Sequence, residues 1–372
     1  MKKRPAFIKN WREVESAEPV KPLGIGESFG FIADLAGATG LTHLRVAHFR
    51  LRPGERSNPP IMMRDMEIFA FVLDGSPDMF VDGHLFRLKE GHGVSLNDRT
   101  GIAQAFLNNT KKDARLFILS EPTLRSGRAR HPLARDATSD ANLKKMGLHW
   151  SDAPKRNLGP HDGLTDQKRG RPASKGSAKR GLPDFVAHWR DILEPDKSYT
   201  YPDSKEYHGI DAPFGKRARF SRLGVHLEVL PPGRRTSWPH AERDEEEFVY
   251  VVSGSVDCWL DGHVHPMWSG DLVGWESRTG VTHVVINNSD ENAVLIVGGE
   301  ASRAKNQFWY PFHPKRNKEI GPLLWADHPK PKLGPHDGLP DKLRASLPKA
   351  RTALAANDAA RKLGLRKKKR VR

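Results

Sequence analysis

Four residues in the second half of the chain carry the donor types that bind a divalent cation. His240 and His283 offer imidazole nitrogens; Glu242 and Glu247 offer carboxylate oxygens. They stand out because the chain contains an earlier copy of the same stretch that lacks them. Residues 51–75 and 230–254 align at a constant offset of 179, and Pro53/Pro232, Gly54/Gly233, Pro60/Pro239, Arg64/Arg243, Asp65/Asp244, Phe69/Phe248, Val72/Val251 and Gly75/Gly254 coincide. The polar residues do not coincide: His240, Glu242 and Glu247 stand opposite Ile61, Met63 and Ile68, and His283 stands opposite Gln104. Aliphatic, thioether and amide side chains are poor ligands for a hard or borderline ion. A duplication that keeps its framework and changes these positions places any metal chemistry in the second copy.

The elements that must position these residues follow from the extent of the repeat. The offset continues through Asp82-Gly-His84 and Asp261-Gly-His263, Gly91 and Gly270, and Asn108-Asn109 and Asn287-Asn288. Slightly different offsets pair Trp11 with Trp189 and Trp150 with Trp325, and residues 158–164 recur word for word as 333–339. A period of this length is the size of a domain, not of a solenoid turn. Inside each copy, short apolar or alternating runs such as Phe248-Val-Tyr-Val-Val are broken by Gly, Asp and Asn, with turn signals every eight to twelve residues. That pattern predicts an all-β sandwich or barrel. Leu260-Asp-Gly-His reads as a hairpin turn, because Asp-Gly accepts positive φ. Helical patterning is confined to edges such as residues 184–193. We expect a first repeat over 1–164, a basic flexible linker over 165–181, a second repeat over 182–339 and a basic tail, partly helical, over 340–372.

The second copy carries a resemblance. Gly233, His240, Glu242, Glu247 and Gly254, followed by Gly270-Asp271, Gly280, His283 and Asn287, resemble the two motifs of the cupin superfamily, and the duplicated chain resembles two-domain cupins. The resemblance implies two tandem jelly-roll (double-stranded β-helix) barrels with short helical arms, a degenerate first and a metal-binding second. It maps His240, Glu247 and His283 onto the family's ligands, and puts Glu242 where the family carries a second histidine. Residues i and i+2 of a strand share a face, so His240 and Glu242 project together. Whether Glu242 binds the metal or faces away stays open. Two imidazoles with one or two carboxylates suit one divalent ion, Fe, Mn, Zn or Ni, with positions left for water or substrate. The implied activity is that of a metal-dependent small-molecule enzyme of oxygenase, isomerase or decarboxylase type, with Glu242 as fourth ligand or catalytic base. A non-catalytic ligand-binding cupin is the alternative.

The remaining composition sets further expectations. The net charge of +16 is uneven: 155–181 carry +6 and 342–372 carry +11, so the rest of the chain is near neutral. Segment 165–181 has no apolar residue larger than alanine or proline and cannot bury itself. Within it, Lys168-Arg-Gly-Arg-Pro172 matches the core of an AT-hook, so Arg169 and Arg171 are candidates for the minor groove of A·T-rich DNA, against the plainer reading of a solvated linker. The basic linker and tail together suit a DNA-associated protein as a third reading. The Gly-Pro-His-Asp-Gly segments holding His161 and His336 survive in the copy without ligands, so we read them as straps and not as ligand loops. One cysteine, Cys258 in an apolar run, excludes an internal disulfide and fits a reducing, cytoplasmic setting. No apolar run is long enough to span a bilayer. Pairing of barrels within one chain or in a homo-oligomer is left open.

Overall fold

The computed structural model describes residues 4–21, 26–98, 100–121, 128–170, 181–195, 200–202, 204–301 and 306–346. The chain forms two compact units. One comprises Lys9–Leu193 with Ala212–His226; the other comprises Met1–Ile8, Glu194–Asp211 and Leu227–Arg372. The regular structure of both is chiefly antiparallel strands, joined by turns and a few short helices.

In the first unit a six-stranded sheet runs in the order Val186–His188, His92–Leu96, Ile68–Asp74, Ala114–Ser120, Arg45–Leu51, Phe31–Asp34. A three-stranded sheet, His84–Arg87, Asp78–Val81, Gln104–Leu107, accompanies it. The second unit repeats the plan. A second six-stranded sheet runs Ile8–Asn10, Asp271–Trp275, Glu247–Ser253, Ala293–Glu300, Leu223–Leu230, Ile210–Ala212, and a second three-stranded sheet runs His263–Trp268, Ser255–Leu260, His283–Ile286. The edge strands are exchanged: the arm at the head of each repeat lies in the sheet of the other. Segment 184–193 divides accordingly. Val186–His188 pairs with His92–Val94 as a strand, and helical geometry is limited to a 3-10 turn over Trp189–Asp191. An extended arm offers its N–H and C=O groups to a sheet edge, which a helix cannot do.

The duplication extends to register. Ile68 faces Leu96 as Glu247 faces Trp275, and Asp78 faces Leu107 as Asp257 faces Ile286. Even the irregularity recurs, at Arg115/Leu116 in one barrel and across Val251/Ser253 in the other. Buried aliphatic and aromatic side chains fill each barrel: Val72, Met79, Phe106 and Leu116 in the first, Val251, Cys258, Val285 and Leu295 in the second. Burial pushes the Cys258 thiol well up, so it is an inert part of that core.

Local polar devices close the loops. Asp82 and Gly83 adopt φ of 47° and 83°, and Asp261 and Gly262 adopt 44° and 86°, the left-handed pair that a two-residue hairpin requires. A side chain at Gly262 would also strike the backbone of Gly334, which donates to the Asp261 carbonyl at 2.7 Å. The Gly-Pro-His-Asp-Gly segments are therefore straps laid on these turns. His161 and His336 each accept at Nδ1 the N–H two residues on, which caps the strap. Asn287 latches its loop by donating to the Leu230 and Glu291 carbonyls at 2.7 and 2.8 Å, as Asn108 does to Leu51 and Lys112 at 2.8 and 2.7 Å.

Residues 165–169, expected as the start of the linker, are fastened to the first barrel. Thr165 is fully buried with its hydroxyl on the Gly54 carbonyl, and Asp166 N–H donates to Asn109. Asp166–Arg169 forms one helical turn, with Arg169 paired to Asp162 at 3.3 Å. The rest of the linker core, 171–180 including Arg171, and the tail from 347 lie outside the described residues. No helix among the described residues is long and apolar enough to cross a membrane.

One buried base in the first barrel makes the fold sensitive to acid. His48 is 1% exposed and stacks on Trp11 at 4.0 Å. Burial, reinforced by the Arg115, Arg12 and Arg50 guanidiniums, lowers its pKa from 6.5 to about 3. The folded state thus resists a proton that the unfolded chain accepts. The stability His48 contributes is complete above pH 6.5 and is lost as pH falls toward 3. Denaturant titrations should lose up to about 1.4 kcal/mol per pH unit between pH 6.5 and about 3, and His48→Phe should remove that part of the slope. An unchanged slope in the variant would place the proton elsewhere.

Candidate metal centre

The site begins with a pair of backbone hydrogen bonds. His240 lies outside the regular strands but forms an antiparallel bridge with His283. His283 N–H donates to the His240 carbonyl at 2.9 Å, and His240 N–H returns the bond at 3.3 Å. Such a pair holds its two Cα atoms close and sets both side chains on one face. The rings lie 4.9 Å apart. Glu247 opens the adjoining strand of the large sheet, opposite Trp275 and Gly299. A Cβ at Gly299 would come within 3.2 Å of the Glu247 Cγ and 2.5 Å of the Glu246 carbonyl, so the strand beside Glu247 is stripped to backbone here.

Both imidazoles are oriented from behind. His240 Nδ1 lies 2.8 Å from the Trp238 carbonyl, with the Ser237 hydroxyl at 3.3 Å. His283 Nδ1 lies 3.1 Å from the Val281 carbonyl. A carbonyl only accepts, so each Nδ1 carries the proton and each Nε2 is turned toward the centre. There His283 Nε2 lies 2.8 Å from Glu247 Oε2, and His240 Nε2 lies 3.6 Å from the same oxygen. One ligand atom from each of His240, Glu247 and His283 falls within 4.8 Å of the others. Trp275 stacks on His283 at 3.9 Å and 12°, which fixes that ring's plane, and Tyr310 lies 5.8 Å from His240. The His283 side chain is 4% exposed, whereas Glu247 keeps 28% of its side chain accessible.

Glu242 stands beside this group but outside it. Its Oε1 lies 3.7 Å from His240 Nε2, while Oε2 accepts a 2.6 Å hydrogen bond from Asn306. Its backbone pairs with Phe308 in a two-stranded ribbon. The structure thus brings together three of the four sequence-selected residues and sets the fourth at the rim. Asn306, Trp275 and Tyr310 were not foreseen. A signal existed for two of them: at the repeat offset Trp275 stands opposite Leu96, and Asn306 opposite Gly127.

The electrostatics describe a site that wants positive charge. Burial alone would drive His240 toward neutrality, yet its contacts with Glu242 and Glu247 hold its pKa well above 6.5. Burial works against charge on Glu247 too, but its bonds to His240 and His283 keep its carboxyl well below the usual range. Burial and the Glu247 charge raise Glu242. Without a metal, a proton on imidazole supplies the cation that Glu247 demands. A divalent ion answers the same demand with more charge, and the two Nε2 lone pairs and Glu247 Oε2 are the donors it requires.

In the first barrel the same bridge joins Ile61 and Gln104, at 3.0 and 3.1 Å, without a donor cluster. Among the described residues, no group of ligating side chains lies inside that barrel. His161 and His336 remain in their straps. Arg169 is half-buried in ion pairs with Asp162 and Asp166.

Residues 226–298 match the family described as "Cupin domain". The matched stretch lies within the second barrel and contains His240, Glu247 and His283. The first barrel repeats the strand order and register of the matched one, so the fold is two tandem barrels of the cupin kind. Among solved structures it is similar to an oxalate decarboxylase from Lactobacillus farciminis in a formate complex, at 14% identity, covering 81% of this chain and 87% of that one, TM-score 0.49. It is also similar to a deletion mutant of oxalate decarboxylase from Bacillus subtilis, at 15% identity, covering 80% and 78%, TM-score 0.47. A third, studied for the Mn(II) centres of the Bacillus subtilis enzyme, shows 14% identity over 82% and 80%, TM-score 0.47. No curated protein matches the chain.

The raised His240 and lowered Glu247 carry a signed expectation for metal uptake. In stripped protein the His240 contribution to stability is full below pH 6.5 and is lost as pH rises through its folded value. The Glu247 contribution is full above pH 4.5 and is lost as pH falls through its depressed value. An incoming ion must displace the imidazole proton. Calorimetry at pH 7 in buffers of different ionisation enthalpy should record release of about one proton per ion, with affinity rising with pH. Uptake without proton release would mean that the stripped site holds no imidazolium.

Proposed function

We propose that His240, Glu247 and His283 hold one divalent transition metal in the second barrel, and that this centre binds and transforms a small molecule. The observation that carries the reading is the orientation of the imidazoles. Each Nδ1 proton is spent on a backbone carbonyl, so both Nε2 atoms turn toward one carboxylate, where either a proton or a metal ion can lie between them. That arrangement would be wasteful for packing alone, since Ile61 and Gln104 fill the equivalent bridge in the first barrel with no charge to satisfy. The donor set suits Fe(II), Mn(II), Zn(II) or Ni(II), and the metal, when bound, supplies Lewis acidity or activation of oxygen.

The chain's own residues supply the rest. Trp238 and Val281 carbonyls keep the imidazoles in the ligating tautomer. Trp275 keeps water from the far side of His283. A small molecule enters on the partly exposed side of Glu247. Glu242, raised by burial and by the neighbouring Glu247 charge, holds or accepts a proton at Oε1, the oxygen not bound by Asn306. This is the general acid or base of an oxygenase, isomerase or decarboxylase type of reaction.

Elemental mass spectrometry of the purified protein should find one transition metal per chain. A His240→Ala/His283→Ala double variant should lose it while keeping its β-sheet circular dichroism. A second metal per chain that survives in the double variant would show a further site, for which Asp211, His226 and Glu228 are the other clustered ligand group among the described residues. None, after reconstitution with each of the four ions, would overturn the reading.

A further inference from the structure

The resemblance left open whether Glu242 binds the metal, and the answer lies with a residue from outside the two cupin motifs. Asn306 is 4% exposed. Its Oδ1 accepts the Asp244 N–H at 3.1 Å, which fixes which end of the amide faces which way. Nδ2 is thereby aimed at Glu242 Oε2, 2.6 Å away. The backbone repeats the constraint, because Glu242 pairs with Phe308, two residues beyond Asn306. Glu242 is thus held at both backbone and carboxylate, and its oxygens stay outside the cluster formed by His240, Glu247 and His283.

The duplication supplies an independent argument. At the same offset Glu242 stands opposite Met63 and Asn306 opposite Gly127, while Asp244, which orients the amide, keeps its counterpart Asp65. The ribbon is retained as well, since Met63 pairs with Ala129 as Glu242 pairs with Phe308. The scaffold therefore exists in both copies, and the carboxylate and its amide donor occur together only in the copy that has the ligands.

We propose that Asn306 is a positioning residue that holds Glu242 out of the coordination sphere, leaving a three-ligand metal face with an unligated carboxylate beside it. This rests on the metal reading above. A buried amide–carboxylate bond is charge-assisted and competes with coordination. Without it the Glu242 side chain is free to turn its oxygens toward the ion, which would consume a position meant for water or substrate.

The test counts water on Mn(II) loaded into the purified full-length protein, using the field dependence of water-proton relaxation. Glu242→Gln should leave the number of metal-bound waters unchanged. Asn306→Ala should lower it by about one, as the released carboxylate takes a site of the roughly octahedral ion, and should tighten Mn(II) about tenfold, the scale of one charge-assisted hydrogen bond. Asn306→Ala/Glu242→Gln should restore the lost water, which a merely structural effect of the alanine would not do. A gain of one water in Glu242→Gln alone would show that Glu242 is already a ligand and would overturn the proposal. If Asn306→Ala fails to fold, Asn306→Asp, which replaces the amide donor by a like-charged carboxylate, should lower the water count in the same way, and an unchanged count there would overturn the proposal. Unchanged hydration in a folded Asn306→Ala protein would also overturn it. Wild-type protein that takes up no Mn(II), Fe(II), Zn(II) or Ni(II) would instead remove the metal reading, and this inference with it.

Discussion

The candidate site hangs on one backbone bridge. Residues 240 and 283 are far apart in the chain, and the two hydrogen bonds between them are what put two imidazoles on a common face. The bridge does not depend on histidine, because Ile61 and Gln104 make it in the first barrel with bonds of nearly the same length. It is a property of the barrel. Around it the Asp-Gly hairpin, the asparagine latch and the strap recur in both copies, and each fixes the ends of the strands that carry the bridge. The framework can therefore take or refuse a charged cluster without changing its backbone plan.

Taking one has an electrostatic consequence. Two imidazoles and two carboxylates in a largely buried setting cannot all keep their ordinary protonation, since desolvation disfavours every charged form. The second barrel resolves this by concentrating negative charge on Glu247 and supplying hydrogen-bond donors to it. The first barrel resolves it by replacing the groups with Ile61, Met63 and Ile68. Either solution leaves no uncompensated charge, and only the first kind has a use for a cation. Glu242 is a distinct case: it sits close to His240 yet its outer oxygen is held by an amide, so proximity on a strand face did not decide its role.

Much of the architecture was legible in the residues. Period-two apolar runs, Asp-Gly turns and a constant offset are local or one-dimensional signals, and they report strands, hairpins and duplication directly. The loss of ligands in the first copy was legible for the same reason, because Ile61 and His240 occupy equivalent positions by alignment alone. The exchange of arms was not. Nothing in Phe7 to Asn10 or Val186 to His188 says which of two similar sheets will accept a strand; open edges decide that, and they exist only once the sheets have formed. The turn at Asp166–Arg169 was missed because its polar composition reads as linker, whereas Thr165 and Asp166 are held by groups in loops far away.

The sequence by itself determined the kind of fold, the existence of two copies and the copy in which cation chemistry can occur. These depend on residue type and spacing, which a chain displays before it folds. Tertiary structure alone decided the tautomers of His240 and His283, the stacking of Trp275 on His283 and the tether of Asn306 on Glu242. Each of those is a contact between segments distant in the chain, or with a particular carbonyl. Hydrogen bonds and ring contacts act over a few ångströms, so they are settled by where the strands pass one another and not by the order in which they are written.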